Sequence, residues 1–324
     1  MTELSSGHCL PIFFAFFRDA RASTYGEQFD NGRHQRKIPN DDPNSKANPN
    51  FVYAGGALST DYWSDWLCEL ALENADRIKS ATENCNNFLT LESVQYIFTV
   101  CVRLRLPHEV RYTAAVIFEK QITLRMVSAI QIATKEHSYH DSLSSMQVCS
   151  CLRSLGFAYT QRAALKSELR ILKTLNFKLP KSPLVYAESL LKTLSFKKVL
   201  NMDMNTLWQH VQLFLDIVFL HHNEVYHYVL RKVMDDRGML QSVTKLDAER
   251  VKADWMLLGG GIVAAAATCV QGAAEADQTV TSLACISGTP RSDILDMSMG
   301  IIETTISLQD ARENESKNRR LRFH

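Results

Sequence analysis

Neither sign of charge dominates this chain: 36 basic side chains stand against 35 acidic ones, a formal net charge of +1. A whole-domain grip on a nucleic-acid backbone needs a basic excess or stripe, so the body of the protein is expected to make no direct nucleic-acid contact. Paired-cysteine motifs are missing too. The eight cysteines (Cys9, Cys68, Cys85, Cys101, Cys149, Cys151, Cys269 and Cys285) include no CxxC, and Cys149-x-Cys151 lacks the second pair that zinc requires. They read as reduced thiols inside helical cores of an intracellular protein. No G-x-S-x-G, HExxH, GxGxxG or P-loop frame occurs, and no paired-carboxylate or Cys/His arrangement stands out. A non-enzyme without cofactor or metal is the resulting expectation. The apolar run Cys9–Phe17 is too short to span a bilayer, and Glu3 stands before it where a signal peptide has a basic stretch. No membrane association is expected.

Strand periodicity is absent as well; what the chain does have is helical periodicity. Residues 1–58 form a disordered or unassigned N-terminal segment: within it, 23–57 hold clusters of Asn, Asp, Pro, Gly and Ser, as in Asn40–Pro49, and are expected to stay disordered because they bury too little apolar surface. Ser59–Thr60–Asp61 is a cap signal for a helix through Asn84 with Trp63, Trp66, Leu67 and Leu70 on one face. Further helices are expected over Leu91–Cys101 (ended by Pro107), His108–Ile122, Thr123–Lys135, Met146–Leu155 and Gln161–Phe177. A second helical half then comprises Pro183–Leu194, Met204–His222, Val225–Met234, Leu246–Val270, Thr279–Ile286 and Ser292–Gln309, and a charged, loose tail follows from Arg312. Gly259–Gly260–Gly261 has no strand before it and sits among alanines, which favours close helix packing over a phosphate loop. His210, His221, His222, Glu224 and His227 lack ligand spacing and read as helix-end or partly buried imidazoles.

The most informative stretch is Lys166–Leu179. Leu165, Leu169 and Leu172 follow i, i+4, i+7 spacing, Ile171 and Leu175 widen the stripe, and one acid, Glu168, sits beside it. Asn176 and Phe177 end the helix ahead of Pro180 and Pro183. Upstream, the apolar helix Leu124–Lys135 ends in a lone lysine. These two segments resemble the cyclin box: Ala133–Thr134–Lys135 is similar to the family's A-S-K, and Glu168-x-x-Ile171–Leu172-x-x-Leu175-x-Phe177 to its E-x-x-x-L-x-x-L-x-F. The likeness runs from about Asp61 to Gln309. It implies an all-α fold: a cyclin-like five-helix bundle over 59–180 preceded by an N-terminal helix, and a second, divergent cyclin-like helical domain over 181–310, with a flexible tail over 311–324.

The resemblance also implies function. Lys135 and Glu168 fall on the pair with which cyclins grip a protein kinase, and Leu172, Phe177 and Leu179 fall on apolar contacts next to it. The expected protein is a regulatory subunit of a cyclin-dependent kinase. Thr123–Lys135, Lys166–Leu191, Leu220–Tyr226 and Lys252–Ala265 resemble the branch of the family that acts in meiotic crossover formation, which implies other meiotic crossover proteins as partners and a nuclear location on meiotic chromosomes. Three departures stand out. Glu136–His137–Ser138 follows the lysine where kinase-activating cyclins carry an aromatic residue and two acids. Leu89–Thr–Leu–Glu–Ser93 replaces the substrate-docking M-R-A-I-L. The Glu119–Leu124 link is shorter than the family's. Arg319–Phe323 matches an RxLxF docking peptide and reads first as solvated charge, and Ser182–Pro183 and Thr289–Pro290 are minimal proline-directed phosphorylation sites.

Overall fold

A computed structural model describes residues 62–82, 90–119, 126–138, 142–154, 157–197, 203–236 and 244–321. The 1–58 segment, the Ser59–Thr60–Asp61 cap, the Glu119–Leu124 link and the end of the RxLxF tail lie outside these residues or reach beyond them. Among the described residues every regular element is a helix, as the periodicity demands.

Helix α1 (Trp63–Lys79) turns Trp63 and Leu70 into the core and leaves Trp66 and Leu67 half-buried. Helix α2 (Leu91–Arg103) starts at Thr90, whose hydroxyl accepts the Ser93 N–H at 3.3 Å, and buries Val94, Phe98 and Cys101. Its end is closed by Arg105, at φ 51°, and by a bond from the Leu106 N–H to the Cys101 carbonyl at 2.9 Å. Then follow α3 (His108–Glu119), α4 (Met126–His137), α5 (Ser145–Ser154) and α6 (Gln161–Thr174). Helix α4 lies in the middle of this group, packed against α2, α3, α5 and α6, and its residues Val127 to Thr134 are all buried.

The second group comprises α7 (Pro183–Phe196), α8 (Met204–Leu220), α9 (His222–Asp236), α10 (Lys245–Ala253), α11 (Trp255–Gln271), α12 (Ala273–Ser287) and α13 (Arg291–Leu321). Its central helix is α11, buried from Trp255 to Ala267 and packed against α7, α8, α12 and α13. The glycine run allows this closeness. A Cβ on Gly259 would stand 3.0 Å from the Ala187 backbone nitrogen, and one on Gly261 would stand 2.3 Å from Met297 Cγ.

Several boundaries differ from the sequence expectation for tertiary reasons. The single helix expected over Leu246–Val270 is two, bent by 65° at Asp254. Asp254 accepts the Leu257 N–H at 2.9 Å, and Asn74 of α1 accepts the N–H groups of Trp255 (2.8 Å) and Met256 (3.2 Å) while donating to Asp254 at 2.9 Å. Side chains therefore satisfy the orphan donors of a new helix start. Helix α12 begins at Ala273 instead of Thr279, after the positive-φ Gly272, and α13 runs to Leu321, past Gln309, with Asp310 to Asn314 exposed on its polar extension. None of the six described cysteines is in a disulfide; Cys101 and Cys149 are buried, but Cys68 and Cys285 are exposed, so the all-core expectation holds only in part.

Helix α1 is strapped across the second group. Besides Asn74, Trp66 Nε1 donates to Ser189 Oγ at 2.9 Å, Glu73 pairs with Lys181, and Arg77 stacks over the Trp255 ring. Asn74→Ala leaves two buried N–H groups of α11 without that acceptor and is expected to cost about 1–3 kcal/mol of stability. Urea denaturation checks this; a loss below about 0.5 kcal/mol, the level of an ordinary surface change, would contradict the strap.

His222, at the start of α9, packs against Tyr226 with ring centroids 4.7 Å apart and the rings tilted by 53°. Burial, helped by the nearby Lys252 charge, lowers its pKa to about 4. The fold thus favours the neutral imidazole, a contribution fully present above the ordinary histidine pKa of about 6.5 and lost as pH falls toward 4. His222→Phe is expected to flatten this part of the stability–pH curve relative to the parent protein. Parallel curves between pH 7 and pH 4 would contradict it.

The two groups meet at a polar core. Arg111 of α3 is 2.8 Å from the Asp216 carboxylate of α8, and both are almost fully buried. Tyr112 donates to Asp216 at 2.7 Å and Arg111 donates to the Tyr112 oxygen at 3.0 Å. Phe98 and Phe219 enclose Tyr112, at centroid distances of 6.0 and 5.4 Å. Desolvation pushes the Asp216 carboxyl up to about 6 against the pull of the guanidinium.

Candidate functional site

The last two turns of helix α4 carry Ala133–Thr134–Lys135. Thr134 is pinned: its hydroxyl donates to the Gln131 carbonyl at 2.8 Å and accepts the Leu143 N–H at 3.3 Å. Lys135 therefore leaves a rigid base. Helix α6 lies beside it, with Thr160 capping the Ala163 N–H at 3.2 Å and Ser128 of α4 donating to Ser167 of α6 at 2.9 Å. Across this seam Lys135 Nζ stands 2.5 Å from Glu168 Oε1. The lysine side chain is 35% exposed and the glutamate 10%. The structure thus brings together two side chains 33 positions apart, and the acid is far less exposed than a solvated surface charge.

The way α6 lies corrects the sequence reading of its stripe. The positions facing the core are Ala164, Glu168, Ile171 and Leu175. Leu165 and Leu169 are instead 50% and 45% exposed, and Leu172 is half-buried. Spacing alone treats all these leucines as one apolar face. Because Glu168 must turn toward α4 to meet Lys135, the helix is rotated and its leucines split into a buried set and an outward strip. This strip runs along the edge of the ion pair.

At its C-terminal end the helix closes at Thr174, ahead of the expected Phe177. The Phe177 N–H reaches the Leu172 carbonyl at 2.8 Å and the Asn176 N–H the Lys173 carbonyl at 3.1 Å. This closure puts Asn176 at φ 50° and Phe177 at φ 57°, both left-handed. Asn tolerates that region; an aromatic residue there costs roughly 1–2 kcal/mol. The strained Phe177 is also 63% exposed, so no core contact offsets the strain. Leu179 is half-buried against the core. Thus the structure brings Lys135 and Glu168 together across the α4–α6 seam and joins Phe177 to Leu172 through the backbone at the end of α6, with Leu179 two residues further on. Spacing gave no sign of the strain at Phe177; Asn176, a residue type that tolerates the left-handed region, was the available hint of such a closure.

The tempting histidines do not converge. His210 Nδ1 bonds the Thr206 carbonyl at 2.8 Å, and His221 stands 3.9 Å from Glu224. Among the described residues no group of three or more His, Cys, Asp or Glu side chains is arranged to hold a metal.

No protein-family model matches the chain. Two curated proteins are similar to it along most of their length. Human (Homo sapiens) cyclin N-terminal domain-containing protein 1 is 28% identical over 288 residues, covering 76% of this chain and 85% of the human one. The mouse (Mus musculus) protein of the same name is 27% identical over 292 residues, covering 78% and 85%. Both names specify the domain that the Lys135 and Glu168 motifs resemble.

Proposed function

Starting from a chain that is cyclin-like and close to cyclin N-terminal domain-containing protein 1, we propose that this protein is a noncatalytic regulatory subunit. It binds a cyclin-dependent kinase through Lys135, Glu168, Leu172, Phe177 and Leu179. It acts in the nucleus on meiotic chromosomes, together with other crossover proteins, to promote crossover maturation. The observation that carries this reading is the ion pair Lys135–Glu168 at the edge of an outward apolar strip. The monomer gains little from keeping leucines and a strained phenylalanine in water, whereas a partner helix laid on the strip buries them. Lys135 then offers donors, and Glu168 an acceptor, to backbone groups at the end of that partner helix. Contacts of this kind shift a two-state kinase element only by their difference in strength between its two arrangements.

The test is co-precipitation of the cyclin-dependent kinase with the parent protein and with Lys135→Ala/Glu168→Ala. Recovery is expected to fall sharply in the variant; equal recovery would remove this interface from the account. A second reading, a cyclin-fold scaffold that recruits crossover factors without activating a kinase, is favoured by Glu136–His137–Ser138, which stands where an activating aromatic residue and two acids are expected. A kinase assay on the purified complex separates the two, since a scaffold gives binding without stimulation.

A further inference from the structure

The charges around the apolar strip are one-sided. Successive positions of a helix advance by about 100°. On α6 this places Leu165, Leu169 and Leu172 on one strip, and Arg162, Lys166 and Lys173 on the neighbouring one, with Arg170 just beyond. All four basic residues are exposed. The only acid in the helix is Glu168, which is turned to the far edge of the strip and neutralised by Lys135. Lys178, at the closing corner beside Phe177, is exposed as well. The chain carries a net charge of only +1, so this local excess is a property of the face and not of the protein.

From this pattern we infer that the α6 face selects its partner by charge: the occupant is an amphipathic helical segment of a protein, with an apolar ridge that seats on Leu165, Leu169 and Leu172 and an acidic flank that meets Arg162, Lys166, Arg170 and Lys173. The inference deepens the proposed kinase-docking reading and rests on it for the face concerned, but it adds the sign of the partner. Opposite charges along the flank steer encounter and fix which way the incoming helix lies, while like charges reject other amphipathic helices. A basic, leucine-bearing face is also the chemistry of membrane-surface helices. Here, however, the far edge of the strip is closed by the Lys135–Glu168 ion pair, so unpaired basic charge lies along one flank only and not around the whole apolar face. An acidic helix can lay an apolar ridge on the strip and keep its carboxylates on the basic flank alone, so a protein partner fits this one-sided pattern better.

The experiment uses the full chain and fluorescence anisotropy. The probes are two labelled designed peptides, identical in their leucine ridge and differing only in the flank, one with Glu and one with Lys. Anionic phosphatidylserine-containing vesicles serve as a third arm. The acidic peptide is expected to bind at least tenfold more tightly than its basic twin at about 50 mM salt, with the gap shrinking at about 300 mM as screening shortens the reach of the charges. Lys166→Glu/Arg170→Glu/Lys173→Glu, all at exposed positions, is expected to invert the preference, while circular dichroism shows an unchanged fold. Equal affinities, no binding of either peptide, or vesicle binding in place of peptide binding would overturn the inference. The kinase reading is judged separately: a charge preference with no kinase recovered sinks that reading alone, and kinase recovery without a charge preference sinks this inference alone.

Discussion

Arg111→Ala is expected to lower the free energy of unfolding by about 3–5 kcal/mol, a large share of the roughly 5–15 kcal/mol that holds a typical protein folded. The reason lies in what the truncation leaves behind. Asp216 is at the meeting of the two helical groups, 4% exposed, with its carboxylate 2.8 Å from the guanidinium and 2.7 Å from the Tyr112 oxygen. With Arg111 gone, the carboxylate must be buried uncompensated or take up a proton. Arg111→Met/Asp216→Leu removes both charges, and Tyr112 keeps the Gln212 carbonyl at 3.1 Å as an acceptor. This double variant is therefore expected to recover most of the loss, since an apolar pair of similar volume substitutes well for a buried ion pair. Guanidinium titrations of the three proteins check this. Similar midpoints for Arg111→Ala and the parent would show that the cluster is not what joins the groups.

The second large effect concerns binding. Lys135→Ala/Glu168→Ala is expected to weaken kinase association by about 2–5 kcal/mol, or roughly 30-fold to several thousand-fold. The burial of Glu168 shapes how this must be measured. Lys135→Ala alone strands a carboxylate whose side chain is only 10% exposed and is expected to cost about 1–3 kcal/mol of fold stability. The single variant therefore mixes folding with binding. Removing both charges separates them: the double variant stays folded, and its loss is read in association. Titration calorimetry with purified kinase gives the affinity, and a thermal scan gives the stability. An affinity within threefold of the parent would contradict the interface.

The helical class of the protein was legible in the sequence because most helices are amphipathic and their caps are local. Thr90, Thr160, Asp203 and Thr244 each cap the helix they precede. The identity of the paired residues was legible too, since Lys135 and Glu168 sit in recognisable motifs. What could not be read depended on distant partners. Nothing near Asp254 says that Asn74, 180 positions away, helps cap a helix there, so an unbroken apolar pattern looked like one helix. Arg111 and Asp216, 105 positions apart, carry no local mark of their pairing. The rotation of α6 was hidden for the same reason: periodicity groups Leu165 with Ile171, and only the pull of Glu168 toward α4 shows which of them faces water.

Phe177→Gly tests the central claim most directly, because stability and binding are expected to move in opposite directions. Glycine accepts the left-handed backbone that Phe177 holds at φ 57° without steric cost, and the phenylalanine ring is 63% exposed. The thermal midpoint should therefore rise or at least hold, so that any lost association cannot be laid to unfolding. In a calorimetric titration with the cyclin-dependent kinase, the account predicts at least a tenfold weaker affinity for this variant. An affinity equal to that of the parent protein would contradict it.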